Sequence, residues 1–350
     1  MPFVLLPHQA NGNIYIRELG RAYAALGWTP IYGPENLLEG NIRPDLLHMH
    51  WPEEFYRWRG EGSTAARAEH FLARLEELKR AGVPMVWTVH NLAPHDIADA
   101  EVDARVYRAV IEAADAIHHH CGCSIEALAG RYAVPAGKPQ FVQAHGHYFS
   151  YPNTIGRDEA RRELGIPADA RVFLQFGQIR GYKGLNLLLA AFDRLQLDRK
   201  FLLVAGLYTP PTGPGALRDR LRLAWRKRTA RDFLLHGRPI DSDRIQVYMN
   251  AADCVVLSHT AGLNSGVAVL GMSFGRIVVG PRLGCIGETL GGEHNVSYPA
   301  GDVDALCEAM RTAMARPDPA ADGAANRRAC EAWQWTSIAS AALSHAGLAA

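Results

Sequence analysis

Short apolar runs alternate with longer amphipathic segments along this chain, and the pattern occurs twice. Candidate strands in the first half cover residues 3–7, 46–50, 84–90, 116–120 and 140–144. Those in the second half cover residues 172–176, 201–206, 233–236, 254–257 and 277–280. This alternation is typical of βαβ units with mainly parallel sheets. We therefore expect an α/β protein with two Rossmann-like, doubly wound domains.

A turn-rich stretch over residues 148–156 separates the two halves, as in segments that connect domains. We expect an N-terminal domain over residues 1–150 and a second domain over residues 151–325. The segment 326–350 reads as helical and is expected to cross back to the first domain. Ligands of doubly wound folds bind at the carboxyl ends of the strands, so two facing domains would hold them in a cleft.

Composition indicates an ordinary globular enzyme. The chain has 350 residues, of which 48% are hydrophobic and 21% charged, with a formal net charge of +1. A near-neutral balance leaves no global electrostatic footprint for nucleic acid, so we expect no nucleic-acid partner. Scattered cysteines, the absence of a basic leader and the lack of a membrane-spanning run favour a cytoplasmic protein.

One loop between a strand candidate and an amphipathic segment suggests phosphate binding. Residues 176–185 read Phe-Gly-Gln-Ile-Arg-Gly-Tyr-Lys-Gly-Leu. Gly177 and Gly181 permit a sharp turn and close approach of an anion to the amides, while Arg180 and Lys183 add positive charge. The spacing matches neither the phosphate loop of nucleoside triphosphatases nor the dinucleotide fingerprint. A nucleotide with a leaving diphosphate fits it better.

Further motifs follow this loop in an order that resembles GT-B glycosyltransferases related to family four, above all the bacterial exopolysaccharide branch with its xanthan-type β-mannosyltransferases. They are Val-Ala-Gly at 204–206, His-Gly at 236–237, Tyr-Met-Asn-Ala-Ala-Asp at 248–253, the segment 262–275 and Ile-Val-Val-Gly-Pro at 277–281. The resemblance covers most of the chain. It implies the GT-B fold, an N-terminal acceptor domain and a C-terminal nucleotide-sugar domain.

The resemblance also implies donor-binding residues. In this family a helix opens at the positions that correspond to Asn264, Ser265, Gly266 and Val267, and its first amides bind the donor diphosphate. Unpaired amides at a helix start favour an anion, and glycine lets a phosphate approach them. The alternative is a simple N-cap by Ser265. Gly237 of the His-Gly motif joins the implied donor site.

The chain departs from the family-four pattern at two positions. Typical members carry two glutamates where this chain has Gly262 and Leu270. Their loss puts a detailed transfer of the retaining mechanism in doubt, and it fits the exopolysaccharide branch. Retaining or inverting stereochemistry therefore stays open.

Polar residues follow two strand candidates of the first half, within residues 48–54 and 88–96. We expect both groups at the carboxyl edge of the sheet. By resemblance this is the acceptor domain. Trp51 offers an aromatic face for a sugar ring, and His50 and Asn91 can hydrogen-bond its hydroxyls.

Candidate bases for deprotonating an acceptor hydroxyl lie in the same two groups. The candidates are His90, Glu53 and Asp96, and one such base is needed if the enzyme inverts configuration. If it retains configuration, His90 would instead position the donor sugar or stabilise charge.

Three further residues are expected to contact substrate. His145 follows the fifth strand candidate and is expected to line the cleft. Asn11 and Gly12 form a turn before the first helix, whose start is expected to face the acceptor or the donor, with helix capping as the alternative.

The run His-His-His-Cys-Gly-Cys at residues 118–123 invites a metal hypothesis. Adjacent residues on a strand point to opposite faces, so three consecutive histidines cannot converge on one ion. We therefore expect no metal and no cofactor beyond the nucleotide-sugar co-substrate.

A basic amphipathic segment covers residues 218–231. We expect a surface helix with a solvated basic face, and the alternative is peripheral contact with anionic lipid of the inner membrane.

Together, the site patterns and the family resemblance predict a metal-independent hexosyltransferase. The resemblance implies that it moves a sugar from a nucleotide diphosphate, GDP-mannose first and a UDP-sugar next, to a saccharide or lipid-linked saccharide in exopolysaccharide or glycoconjugate assembly. The alternatives are a nucleotide-sugar epimerase of the same fold and a non-catalytic nucleotide-sugar-binding protein.

Overall fold

The computed structural model describes residues 1–57, 61–94, 99–213 and 215–349. The chain forms two compact units. The first unit comprises Met1–Gly146 together with Trp333–Ala350, and the second comprises His147–Ala332.

Strands and helices alternate through both units. The strands are β1 (Phe3–Leu6), β2 (Thr29–Tyr32), β3 (Leu46–Met49), β4 (Met85–Thr88), β5 (Ala116–His119), β6 (Gln140–Val142), β7 (Arg171–Phe176), β8 (Lys200–Ala205), β9 (Phe233–His236), β10 (Cys254–Val256), β11 (Ile277–Pro281) and β12 (Val296–Tyr298). The α-helices are α1 (Ile14–Ala25), α2 (Pro34–Leu38), α3 (Thr64–Arg80), α4 (Ala100–Ala113), α5 (Cys123–Ala129), α6 (Arg157–Leu164), α7 (Leu185–Arg194), α8 (Ala216–Thr229), α9 (Ile245–Ala251), α10 (Gly266–Ser273), α11 (Gly284–Thr289), α12 (Val303–Met314), α13 (Pro319–Glu331) and α14 (Trp335–His345). Three 3₁₀ turns cover Pro52–Phe55, Gly181–Lys183 and Ser242–Arg244.

Each unit contains one six-stranded sheet whose strands all pair in parallel. The order is β2-β1-β3-β4-β5-β6 in the first unit and β12-β11-β10-β7-β8-β9 in the second. The central strands β3, β4, β5 and β10 are buried along their whole length. Burial on both faces explains why β4 and β10 read as mainly apolar runs rather than alternating patterns, whereas β3 and β5 include buried histidines. The predicted doubly wound α/β architecture is confirmed.

The two strands that the sequence patterns did not reveal, β2 and β12, lie at sheet edges. Strand β2 is only partly buried at each residue and contains Pro30, which an edge strand tolerates. Strand β12 has three residues, of which only Tyr298 is fully buried. Edge strands need less apolar character, so their signal is weak.

The C-terminal segment differs from the expected continuous helix. The chain leaves α13 at Glu331 and begins α14 at Trp335. Helix α14 packs against α1, and its residues Ile338 and Leu343 are buried in the core of the first unit. Trp335 lies over Gly146, where a Cβ atom would come within 2.3 Å of the indole. The last helix is therefore part of the first unit's core.

Candidate active site

Five neighbouring strands of the first unit each position a histidine just beyond their carboxyl end. They are His8 after β1, His50 after β3, His90 after β4, His120 after β5 and His145 after β6. Successive ring centroids lie 5.6, 5.3, 5.2 and 5.2 Å apart, so the rings form a continuous line that we call the histidine row. Parallel strands end at one edge of the sheet, which is why residues distant in sequence meet here.

Aromatic side chains surround the histidine row. Tyr15 of α1 contacts four of its rings edge-on, with centroid distances from 4.8 to 5.6 Å. Trp335 of α14 meets Tyr15 edge-on at 4.8 Å. Trp51 stacks on His90 at 4.2 Å with an interplanar angle of 22°, so His90 already covers one face of the indole. A sugar ring would have to meet the other face.

Burial keeps most of the histidine row uncharged. It lowers the pKa of His50, His90 and His120 well below the ordinary value, and neighbouring imidazoles act in the same direction. Burial also lowers the pKa of His145, to about 4. A neutral imidazole offers one N–H donor and one acceptor nitrogen, the pair of functions that a sugar hydroxyl needs.

Part of this hydrogen-bonding capacity is unused. The Nε2 atoms of His8, His50 and His120 are buried and bond to no described residue. The His8 Nδ1–H donates to Glu54 Oε2 at 2.9 Å, and the His120 Nδ1–H donates to the Gln143 carbonyl at 3.3 Å. Burial keeps the His120 ring neutral, and its Nδ1 atom carries the hydrogen, so its Nε2 atom is an acceptor. Unsatisfied buried polar atoms are uncommon in native proteins and often mark functional sites.

A second hydrogen-bonded layer supports the histidine row from below. It runs from Tyr23 through His48, Thr88 and His118 to the Gln143 carbonyl, with distances of 2.8, 2.8, 3.0 and 2.9 Å. The carbonyl can only accept, so His118 Nε2 donates to it, Thr88 donates to His118 Nδ1, His48 donates to Thr88 and Tyr23 donates to His48. Each neutral histidine in this chain therefore has one tautomer.

The middle histidine of the consecutive run points away from this layer. His119 bonds to Ser124 at 2.8 Å and to Gln140 at 3.1 Å, whereas His118 and His120 contact each other with ring centroids 4.8 Å apart. The alternation expected of a strand is thus observed.

Glu53 is a buried carboxyl close to the row. It lies in the 3₁₀ turn that follows Trp51, where the Tyr107 hydroxyl donates to Oε2 at 3.0 Å and the Asn91 amide donates to Oε1 at 3.4 Å. Burial raises the pKa of Glu53 to about 7 despite these hydrogen bonds. Asp96, the third candidate base, lies outside the described residues.

The turn before α1 positions Tyr15 rather than bringing its own side chains into the row. Asn11 and Gly12 are exposed there. The next residue, Asn13, is the N-cap, and its Oδ1 accepts hydrogen bonds from the amides of Tyr15 and Ile16.

The glycine-rich loop of the second unit follows β7. Gly177 adopts φ +98° and Gly184 adopts φ +66°. A Cβ atom at Gly184 would lie 1.9 Å from the Ser258 carbonyl oxygen, so only glycine lets the loop pack against the end of β10. Of the two glycines expected to permit the turn, Gly177 uses a positive φ angle and Gly181 does not; the second positive angle in the loop is at Gly184.

Lys183 is held within this loop. Its Nζ atom donates to His259 Nε2 at 2.7 Å, and its carbonyl accepts hydrogen bonds from Gln175 at 2.9 Å and Ser258 at 2.7 Å. Burial, with a further effect from the Arg180 charge, lowers the pKa of Lys183 to about 8. The ammonium is therefore largely charged at neutral pH but sits in surroundings that disfavour the charge.

The start of α10 lies beside the loop. A Cβ atom at Gly177 would be 3.4 Å from Val267 Cγ2, in the first turn of the helix. Ser265 occupies the N-cap position without a side-chain capping bond, and its buried Oγ atom has no partner among the described residues. Asn264 and Gly266 are partly buried on either side of it. The simple-cap alternative is therefore not observed.

Gly237 is the remaining predicted donor residue. It follows β9 and is exposed, and a Cβ atom there would lie 3.2 Å from Tyr208 Cβ.

Comparison with known proteins places the whole chain in one structural class. Sucrose-phosphate synthase from Thermosynechococcus elongatus superposes with a TM-score of 0.74 at 21% identity, covering 97% of this chain and 96% of that one. Anabaena HepE in complex with UDP superposes with a TM-score of 0.66 at 14% identity, covering 99% and 98%. Residues 170–316 match the family described as Glycosyl transferases group 1. The chain is a glycosyltransferase with the GT-B fold that carries a group 1 domain, as predicted.

Sequence comparison finds relatives whose names specify a donor or a product. GDP-mannose:glycolipid 4-beta-D-mannosyltransferase from Xanthomonas campestris pv. campestris is 29% identical over 278 residues, which cover 78% of this chain and 70% of that one. Alpha-maltose-1-phosphate synthase from Mycolicibacterium smegmatis is 28% identical over 279 residues, covering 74% and 71%. Within the described part of the chain, no helix is long and apolar enough to cross a membrane.

Several site residues escaped the sequence patterns. His8, His120 and His259 follow β1, β5 and β10, so the rule that singled out His50 and His90 could have found them. Tyr15 and Trp335 carry no such signal, because their positions depend on how α1 and α14 pack.

Proposed function

We propose that this glycosyltransferase moves a sugar from GDP-mannose, or next a UDP-sugar, to a hydroxyl of a saccharide or lipid-linked saccharide in exopolysaccharide or glycoconjugate assembly. The Xanthomonas relative is named for GDP-mannose and a glycolipid, which supports the first donor and the acceptor class. The HepE complex contains UDP, which supports a UDP-sugar as the second candidate donor.

The observation that carries the proposal is the adjacency of the Lys183 loop and the first turn of α10. When the bond between the sugar C1 and the phosphate oxygen breaks, the diphosphate leaves with the electron pair. Arg180, Lys183 and the amides of residues 265–267 would stabilise this charge. We propose that these groups suffice without a metal ion.

The histidine row would bind the acceptor. The unused Nε2 atom of His120 can accept a hydrogen bond from a hydroxyl, and the outer face of Trp51 can stack on a sugar ring. If the enzyme inverts configuration, the acceptor oxygen attacks C1 and its proton passes to His90, Glu53 or Asp96. A carboxyl at Glu53 with a pKa of about 7 suits a base working near neutral pH. His90 is unprotonated there, but burial lowers its pKa and so makes it the weaker base.

The test is a donor panel. The purified chain is mixed with GDP-, UDP- and dTDP-sugars, with and without EDTA, and both thermal stabilisation and release of the nucleoside diphosphate are measured. We expect GDP-mannose to stabilise the protein most, and release to be unchanged by EDTA and accelerated by an oligosaccharide acceptor. Loss of release in EDTA, restored by a divalent ion, would contradict the metal-independent proposal. Selective response to another donor would replace GDP-mannose.

A further inference from the structure

Helix α8 of the second unit has one face anchored in its own domain. Leu223 is 6% exposed and belongs to the core beneath β8 and β9. Arg226 pairs with Asp193, and its guanidinium lies 5.4 and 5.3 Å from the ring centroids of Phe192 and Phe233. These contacts fix which side of the helix faces outward.

The outward face is apolar. Leu217, Leu221 and Trp225 are 68%, 62% and 68% exposed, more than any other large apolar side chain of the described residues except Met1. Residues four apart lie above one another on a helix, so the three form a single stripe. We call it the α8 stripe. Apolar groups held in water in this way usually mark an interaction surface.

Cations accompany the stripe. Arg218, Arg220, Lys227 and Arg228 are exposed, and no ion pair joins any of them to a described residue. Arg228 is one helical turn beyond Trp225 and lies on the same face as the stripe, and Arg218 borders it. The acidic residue of the helix, Asp219, already accepts a hydrogen bond from Asn186 at 2.8 Å.

We propose that α8 binds the surface of an anionic membrane, with the α8 stripe in the boundary between headgroups and acyl chains and the four cations on lipid phosphates. The charge is complementary to that surface, and leucine and tryptophan among basic residues are typical of helices that lie in it. The inference goes beyond the proposed transfer reaction and does not depend on the identity of the donor.

The test is co-flotation of the full chain with phosphatidylglycerol–phosphatidylcholine vesicles and with pure phosphatidylcholine vesicles. We expect binding to the anionic vesicles only, weakened by salt. Replacing all three stripe residues with serine should weaken it at least about tenfold. Each cation near such a surface contributes about fivefold, so the double variant Arg218→Gln/Arg228→Gln should lose roughly 20- to 30-fold.

The matched control is Arg162→Gln/Arg328→Gln. It removes the same charge from two exposed arginines on α6 and α13. Because neither arginine belongs to α8, this variant should bind anionic vesicles within about twofold of the original chain.

Four results would overturn the proposal. One is equal loss of binding in the control pair, which would mean that net charge alone matters. Another is binding that needs the arginines but not the stripe, which would indicate a soluble polyanion. The third is absence of vesicle binding. The fourth is a dimer in gel filtration that the serine variant abolishes, which would assign the stripe to a second copy. Binding needs no turnover, so these outcomes are separate from failure of the donor panel.

Discussion

Both units contain a parallel six-stranded sheet, but the carboxyl edges of the two sheets carry opposite chemistry. Counted within each unit, the strand order is 2-1-3-4-5-6 in the first and 3-2-1-4-5-6 in the second. The first unit presents a row of imidazoles and aromatic rings, four of whose histidines are kept neutral by burial. The second presents glycines, Lys183, Arg180 and the start of α10. Neutral groups that both donate and accept suit hydroxyls, whereas cations and unpaired amides suit a diphosphate. The shared fold positions the sites, and the side chains differentiate them.

The two edges also differ in how burial acts. In the first unit, burial removes charge, and the hydrogen-bonded chain from Tyr23 to Gln143 satisfies the polar groups of the supporting layer. In the second, Lys183 keeps most of its charge although burial lowers its pKa. Keeping a charge in a buried position lowers the stability of the folded state. Such a charge is expected where it binds a ligand.

The largest effect should come from removing that charge. Lys183→Ala should lower kcat/KM about 100- to 1,000-fold, because the leaving diphosphate loses a buried cation. Its melting temperature should equal or exceed that of the original chain. Steady-state kinetics and thermal melts check both, with the exposed Lys79→Ala as control. If Lys183→Ala had a lower melting temperature than the original chain but normal turnover per folded molecule, Lys183 would not belong to the donor site.

The next prediction concerns stability in the first unit. Glu53 has a pKa of about 7 when folded against an ordinary value near 4.5, so the folded state binds the extra proton between these limits. Its contribution to the free energy of unfolding therefore falls as the pH rises from about 4 to 7 and stays low above that. Glu53→Gln should remove this fall and be more stable above pH 7, by roughly 3 kcal/mol at most.

Denaturant unfolding of both proteins at pH 4.5 and pH 8 measures the difference. Glu54→Gln, which changes a partly exposed neighbour, is the matched control and should lack the pH-dependent gain. If Glu53→Gln gained as much at pH 4.5 as at pH 8, the carboxyl would not be the group that titrates.

A smaller effect should sharpen the assignment of the acceptor to the first unit. His120→Leu removes one unused Nε2 acceptor and should raise the KM for the acceptor about tenfold, since a hydrogen bond is worth about 1 to 1.5 kcal/mol. The KM for the donor should stay unchanged. His70→Leu, at an exposed histidine of α3, is the control. An equal rise in the KM for the donor would contradict the assignment of the acceptor to the first unit and the donor to the second.

The smallest effect is a pH dependence of donor binding. Lys183 loses its proton as the pH rises past about 8, so donor affinity should weaken between pH 7 and 9, by up to about tenfold. Bound diphosphate favours the charged lysine and will move the midpoint upward. Lys183→Arg should show a flat profile over this range. A profile unchanged by the arginine substitution would assign the titration to another group.

The sequence patterns anticipated the fold well and the site in part. Central strands such as β4 and β8 are buried on both faces and therefore stand out as apolar runs, whereas the edge strands β2 and β12 do not. His50 and His90 were identified by their position after strands. The roles assigned to the predicted site residues remain predictions, because proximity does not establish chemistry.

The sequence by itself determined the two parallel sheets and the order of the donor motifs, because burial periodicity and glycine requirements are local properties of the chain. It also determined which residues end each strand. Only the tertiary structure decided that five histidines form one row, that Tyr15 and Trp335 meet beside it, and that the α8 stripe faces outward. These features depend on strand order and helix packing, which bring together residues far apart in the chain and change their solvation, hydrogen bonds and pKa values.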